Sequence, residues 1–181
     1  MGSLDFARII SNTVIAGAFA GLSGLVVGWV MDGRAQPDRT INGVLAGLVS
    51  ITAGCDAVGT NAAIIIGLSA GVLVTFSANV IERGLKLDDV VGAVSVHGTC
   101  GVWGVLMAGV FAMDEKLQAG SRADQILVQI EGAAIHFVWA FGVTLAVLYA
   151  IRSFIPLRVP LEVEDRGLDL VEHGAKLERA R

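Results

Sequence analysis

The residues of this 181-residue chain best suited to chemistry are three histidines and two cysteines. His97 is the most informative of them. It lies inside Asp88–Ala112, DDVVGAVSVHGTCGVWGVLMAGVFA, an apolar run long enough to cross a bilayer. An imidazole titrates near neutrality, so at such a depth it can take up a proton and return it; equally, it can bond a carbonyl of a neighbouring helix and do nothing more. On the residues alone both readings stand. Laid on a helix, His97, Gly101, Val105 and Gly109 share one stripe, and Cys100, Gly104, Ala108 and Ala112 share the next. Small residues at every fourth position let a second helix come close, and the expectation is that His97 then sits in a packed interior rather than against lipid. Cys55 and Cys100 are far apart in sequence, with neither the pairing of a disulfide framework nor the close soft ligands of a zinc site, and no metal or cofactor is implied. Glu131 and His136 are five residues apart and do not share a helix face, so His136 reads as a packing residue.

The segments that must position His97 follow from composition. With 54% hydrophobic and 17% charged residues and a mean hydropathy of +0.70, the chain is too apolar for a soluble domain of its length and reads as an integral membrane protein. Its 23 glycines are nearly twice the average usage of ~7%, as expected where helices pack in lipid through small residues. The net charge of -4 resides in loops and tail, and nothing suggests a nucleic-acid partner.

Five apolar segments are predicted, over about 4–31, 41–58, 61–81, 90–112 and 125–151, making a transmembrane unit of residues 1–155 followed by a tail of 156–181. The first carries Ala16, Ala20, Gly24 and Gly28 at helical spacing and is broken by Asp32-Gly33 and Pro37. The second is the shortest: its uninterrupted apolar core ends near Gly54, below the ~17 residues a span usually needs, so it reads as short or re-entrant. The third repeats the small-residue pattern with Ala63, Gly67, Gly71, Thr75 and Asn79, and Asp88 or Asp89 is suited to cap the fourth. The fifth ends at Tyr149 and Arg152, which suits a membrane interface, and Pro156 and Pro160 stop it. If all five cross, ten basic residues, those of the tail included, lie on one side against Arg8, Lys116 and Arg122 on the other. That bias places the tail in the cytoplasm.

The blocks NGVLAGLVSITAGCD (Asn42–Asp56), AAIIIGLSAGVLV (Ala62–Val74), LDDVVGAVSVHGTCGVWGVLMAGVFA (Leu87–Ala112) and RGLDLVEHG (Arg166–Gly174) resemble, in order, consecutive blocks of the Amt/Mep/Rh ammonium transporter family. The resemblance implies an all-α polytopic helical bundle. In that family eleven helices form a pore in each protomer of a trimer, built from two inverted five-helix repeats. This chain resembles the last five helices and the cytoplasmic tail, so the bundle is incomplete: a second repeat without its first helix. The first pore histidine, the acidic residue of the entry site and the aromatic gate belong to the part it does not match. It reads as part of a longer product or as a truncated protein that does not transport alone.

The resemblance carries the second pore histidine onto His97 and implies ammonium or ammonia as the translocated species, passed through plasma or inner membrane by a transporter rather than an enzyme. The physics is consistent, because an unscreened cation in an apolar pore costs several kcal/mol or more, and removing its proton leaves a neutral molecule to pass. Secondary candidates for the pathway are Cys100, Gly101 and Trp103 beside His97, and Asp56 at the outer end of the second segment; Trp103 as a packing residue and Asp56 as a solvated loop acid are the plainer readings. In the tail, Gly167, Asp169, His173 and Gly174 match the family's cytoplasmic motif, which implies contact with a neighbouring protomer or a PII-type nitrogen-signalling protein. An ammonium-sensing membrane module and a non-functional fragment are the alternatives.

Overall fold

The computed structural model describes residues 3–172 and 174. Helix α1 is Ser3–Asp32, α2 Pro37–Thr52, α3 Thr60–Asn79, α4 Cys100–Phe111, α5 Arg122–Arg152, α6 Leu161–Arg166 and α7 Leu168–Glu172. A π-helical turn, Val80–Gly84, continues α3, and another, Val94–Thr99, leads into α4. Among the described residues there is no strand, only an isolated antiparallel bridge between Val58 and Ala112. The fold is therefore all-helical. The chain divides inside α5 into two compact units, one up to Ala134 and one from Ile135.

In the first unit α1 and α3 run between the same two ends as α2 and α4. At one end, Asp32 closes α1 and takes an ion pair from Arg39 at 3.1 Å and another from Arg83 at 3.9 Å, joining the start of α2 and the end of α3. At the other end, the Asn12 side chain of α1 donates to the carbonyls of Cys55 and Val58, both at 2.9 Å, holding the turn between α2 and α3. The shortness of α2 has a local cause. It opens at Pro37 rather than at the apolar run from Ile41, because proline at the first helical position forfeits no hydrogen bond. It ends at Thr52, where Gly54, Ala57 and Val58 bond back over three or four residues. Among the described residues, four helical stretches are long and apolar enough to cross a membrane, Asp5–Asp32, Thr60–Gly84, Val94–Phe111 and Arg122–Arg152; α2 is not among them.

Small residues make the interfaces. Ala16, Ala20, Gly24 and Gly28 of α1 are all buried, as are Ala63, Gly67, Gly71 and Thr75 of α3. A Cβ at Gly43 would stand 2.7 Å from the Ala20 carbonyl oxygen, so α2 and α1 touch backbone to backbone at a distance only glycine permits. The core around these contacts consists of Ala20, Ala46, Ala70, Val74, Val96 and Cys100 toward one end and Ala16, Ile51, Val58, Ala63 and Ile66 toward the other. Large side chains lie outside: Phe6, Ile10, Val14, Leu22 and Val26 form an exposed stripe on α1. That inversion, small within and large without, is the pattern of helices packing in lipid.

In the second unit, α5 continues to Arg152 with its side chains exposed and with Phe137 stacked on Phe141 at 5.7 Å. Arg158 forms a bidentate pair with Glu164 of α6 at 2.8 to 2.9 Å.

Candidate functional site

The site begins with the buried carboxylate of Asp89, 4% exposed, after the turn that follows α3. Its Oδ1 accepts the Val94 amide at 2.9 Å, and its Oδ2 accepts the Ser95 amide at 3.0 Å and the Ser95 hydroxyl at 2.9 Å. A helix start leaves its first amides without carbonyl partners, and a carboxylate there satisfies them as a charge-assisted acceptor. Burial works to raise the Asp89 pKa, and the hydrogen bonds from Val94, Ser95 and Ala93 outweigh it, so the carboxyl is held below its ordinary value. Of the two residues suited to cap this helix, Asp89 is the one that does so. It does it by gripping a π turn. The Cys100 amide donates to the Ser95 carbonyl, five residues back, and His97 lies midway in that loop.

From Cys100 onward the helix is α, and the stripe of small residues is buried: Cys100 is 0% exposed, Ala108 5% and Ala112 6%. Gly104 lies against the backbone of Ser50. The packing is pinned by a polar seam inside the apolar segments. The Ser50 hydroxyl donates to the Cys100 carbonyl at 2.9 Å, Trp103 Nε1 donates to Ser69 Oγ at 3.0 Å, and the hydroxyls of Ser77 and Thr99 bond at 2.8 Å. Trp103 is thus half-buried and anchored to α3, and Cys100 is a packed thiol. Sequence inspection missed this seam. Serines and threonines within apolar runs were its only signal, and which partners they find depends on helix register.

His97 itself corrects one expectation. In this chain it is exposed, not enclosed, while its stripe-mates Gly101 and Val105 are half-buried. Helices α2 and α3 meet the Cys100–Gly104–Ala108 side of α4, and α5 meets the far end of the His97 stripe, where Gly109 is buried against Ile126 and Gln129; the imidazole, about three turns earlier, stands on the part of that stripe these helices leave open. Asp56 is elsewhere. It lies in the turn after α2, paired with Lys116 at 3.8 Å. That is the end of α4 away from His97, about 20 Å along the helix at ~1.5 Å per residue, so the two do not form one site. The loop there is rigidly tied: Arg122 donates to the carbonyls of Val110 and Ala112 and to Asp114, and Gln125 Oε1 accepts the amides of Gln118 and Ala119, both at 3.0 Å. Glu131 and His136 are exposed on α5. In the tail, Gly167 and Gly174 take positive φ, 87° and 63°, which suits glycine; the Asp169 side chain and His173 lie outside the described residues.

The family model for the Ammonium Transporter Family matches residues 2–177. The chain belongs to the ammonium transporter family. It is 37% identical to ammonium transporter Amt2 of Archaeoglobus fulgidus, over 95% of this chain and 39% of that protein. Among solved structures it superposes on a sensor Amt protein with a TM-score of 0.88 and 36% identity, covering 94% of this chain and 43% of that one. It also matches Mep2 of Candida albicans, with a TM-score of 0.78 and 26% identity, covering 84% of this chain and 36% of that one. The chain thus spans about two fifths of the length of the relatives it matches. Family membership and several helices able to span make this ammonium transporter family chain a multi-pass membrane protein.

Proposed function

We propose that this chain forms the C-terminal part of a conduit for ammonium and ammonia, in which His97 takes the proton of ammonium and hands it on while neutral ammonia passes along the open side of α4. The observation that carries the reading is the position of His97: an exposed imidazole within an apolar span, on the stripe beside the buried one that fixes that span to α2 and α3. In a complete pore, helices supplied from outside this chain cover that side and exclude water, and the imidazole is then the group able to exchange a proton there. Residues 1–155 form the membrane part and 156–181 a cytoplasmic tail. The assembly is a homotrimer in the plasma or inner membrane, with the tail's Gly167, Asp169, His173 and Gly174 meeting a neighbouring protomer or a PII-type protein. Cys100, Gly101 and Trp103 hold the pore wall. Asp56, paired with Lys116, has at most a role at the outer mouth.

A second reading, ammonium sensing, is favoured by the similarity to a sensor Amt protein. Uptake of labelled methylammonium into proteoliposomes separates the two. Transport predicts accumulation by the complete assembly and none by this chain alone, in which His97 is exposed. Ligand binding to the complete assembly without accumulation would leave sensing as the function. The tail's side is checked by a reporter fused after Arg181, which is expected to be active only in the cytoplasm; activity only on the outer face would reverse the topology.

A further inference from the structure

We propose that Asp89 is a positioning residue whose carboxylate sets the π turn presenting His97. The transport consequence rests on the reading of His97 above; the structural one does not. Asp89 makes three bonds to the first turn of the fourth span, all between 2.9 and 3.0 Å, and two of them go to the same residue, Ser95. Ser95 is 0% exposed and holds both ends of the loop around His97: its amide and hydroxyl go to Asp89, and its carbonyl takes the Cys100 amide. The chain reaches this arrangement by doubling back at Gly92, whose φ is 70° and whose amide donates to the Asp89 carbonyl at 2.8 Å. The Gly92 carbonyl in turn accepts the Val96 amide at 2.7 Å. One chain of bonds therefore runs Val96, Gly92, Asp89, Ser95, Cys100, and its two ends flank His97.

The turn type fixes where the imidazole points. A π turn spreads its residues by a wider loop than an α turn does, so the angle between His97 and the buried Cys100 depends on the loop staying closed over five residues. π turns are rare and short, and this one is accompanied by bonds to its first amides from outside the helix. Asp89 supplies them. Asparagine has the same shape but brings an N–H donor toward amides that are themselves donors, and so satisfies at most part of the set. Removing one acceptor leaves buried amides unpaired, which costs more than the bond was worth.

The test compares Asp89→Asn, Asp89→Glu and Ser95→Ala in the membrane-inserted protein, reading amide hydrogen exchange along the chain and the ring nitrogen resonances of His97. Asp89→Asn is expected to speed exchange at Val94 and Ser95 by about tenfold or more and to shift the His97 ring resonances, with α1, α2 and α3 keeping their protection. Asp89→Glu is expected to recover part of both, and Ser95→Ala to give a smaller shift in the same direction. Native His97 resonances in a folded Asp89→Asn protein would overturn the proposal. If Asp89→Asn fails to insert, Ser95→Ala decides, and an unshifted His97 there overturns it. Normal transport by His97→Ala, together with an Asp89-dependent shift, would instead defeat the functional reading and leave the positioning intact.

Discussion

Asn12 Nδ2 bonds the Val58 carbonyl at 2.9 Å across 46 residues of sequence, and the same nitrogen holds the Cys55 carbonyl at 2.9 Å. One buried amide in α1 therefore closes the turn that ends α2 and starts α3.

Asn12→Ala should remove both bonds and leave two carbonyls short of a donor. Bonds of this kind within membranes average about 0.6 kcal/mol each. The buried Asn12 Oδ1 accepts nothing, so losing it recovers part of the cost. The expected net loss is about 1 kcal/mol, read as an earlier unfolding midpoint in a denaturing-detergent titration.

Gly104→Val should be much worse. A Cβ at Gly104 would stand 2.7 Å from Ser50 Cα and 2.8 Å from its carbonyl carbon, backbone atoms that cannot rotate away, so α2 and α4 would have to separate. The polar seam would break with them, at a cost of about 3 kcal/mol or more. Gly142→Ala is the control. Nothing lies within 4 Å of its added methyl, so it should be neutral or stabilise α5 by up to ~1 kcal/mol. The yield of folded, extracted protein should separate the two variants.

Much of this packing is written in the sequence. The small-residue stripes of α1, α3 and α4 are periodic, and the faces they mark are the buried ones, because helix periodicity is local and needs no knowledge of partners. Pro37 was legible as punctuation, though it starts α2 rather than interrupting a loop. What was hidden depends on register between segments. No pattern in the sequence pairs Asp56 with Lys116, or Trp103 with Ser69, since those contacts join residues 60 and 34 positions apart. The π turn was hidden for a different reason: α and π differ in which carbonyl an amide chooses, and the choice here follows from Asp89. The exposure of His97 could not be read either, because a helical stripe shows which residues share a side and not whether anything covers it.

Asp89 also predicts an acid response. Its folded pKa lies below the ordinary 3.8, so its contribution to stability is complete above that value and is lost as pH falls through the lowered folded value. Asp89→Asn should be less stable than the parent at neutral pH, and the gap should close in strong acid. Unfolding midpoints measured at neutral pH and again well below pH 3.8 check the sign; a gap that widens in acid would contradict it.

The measurement closest to the central claim is ammonium-evoked current in the complete transporter assembled with this chain, comparing His97→Ala with His136→Ala at matched membrane expression. Alanine at position 97 buries no new polar group, and assembly should survive. The account predicts that His97→Ala loses current or its selectivity against potassium while His136→Ala stays near the parent. Parent-like current and selectivity in His97→Ala, with current abolished in His136→Ala, would place the proton chemistry on α5 and contradict the account.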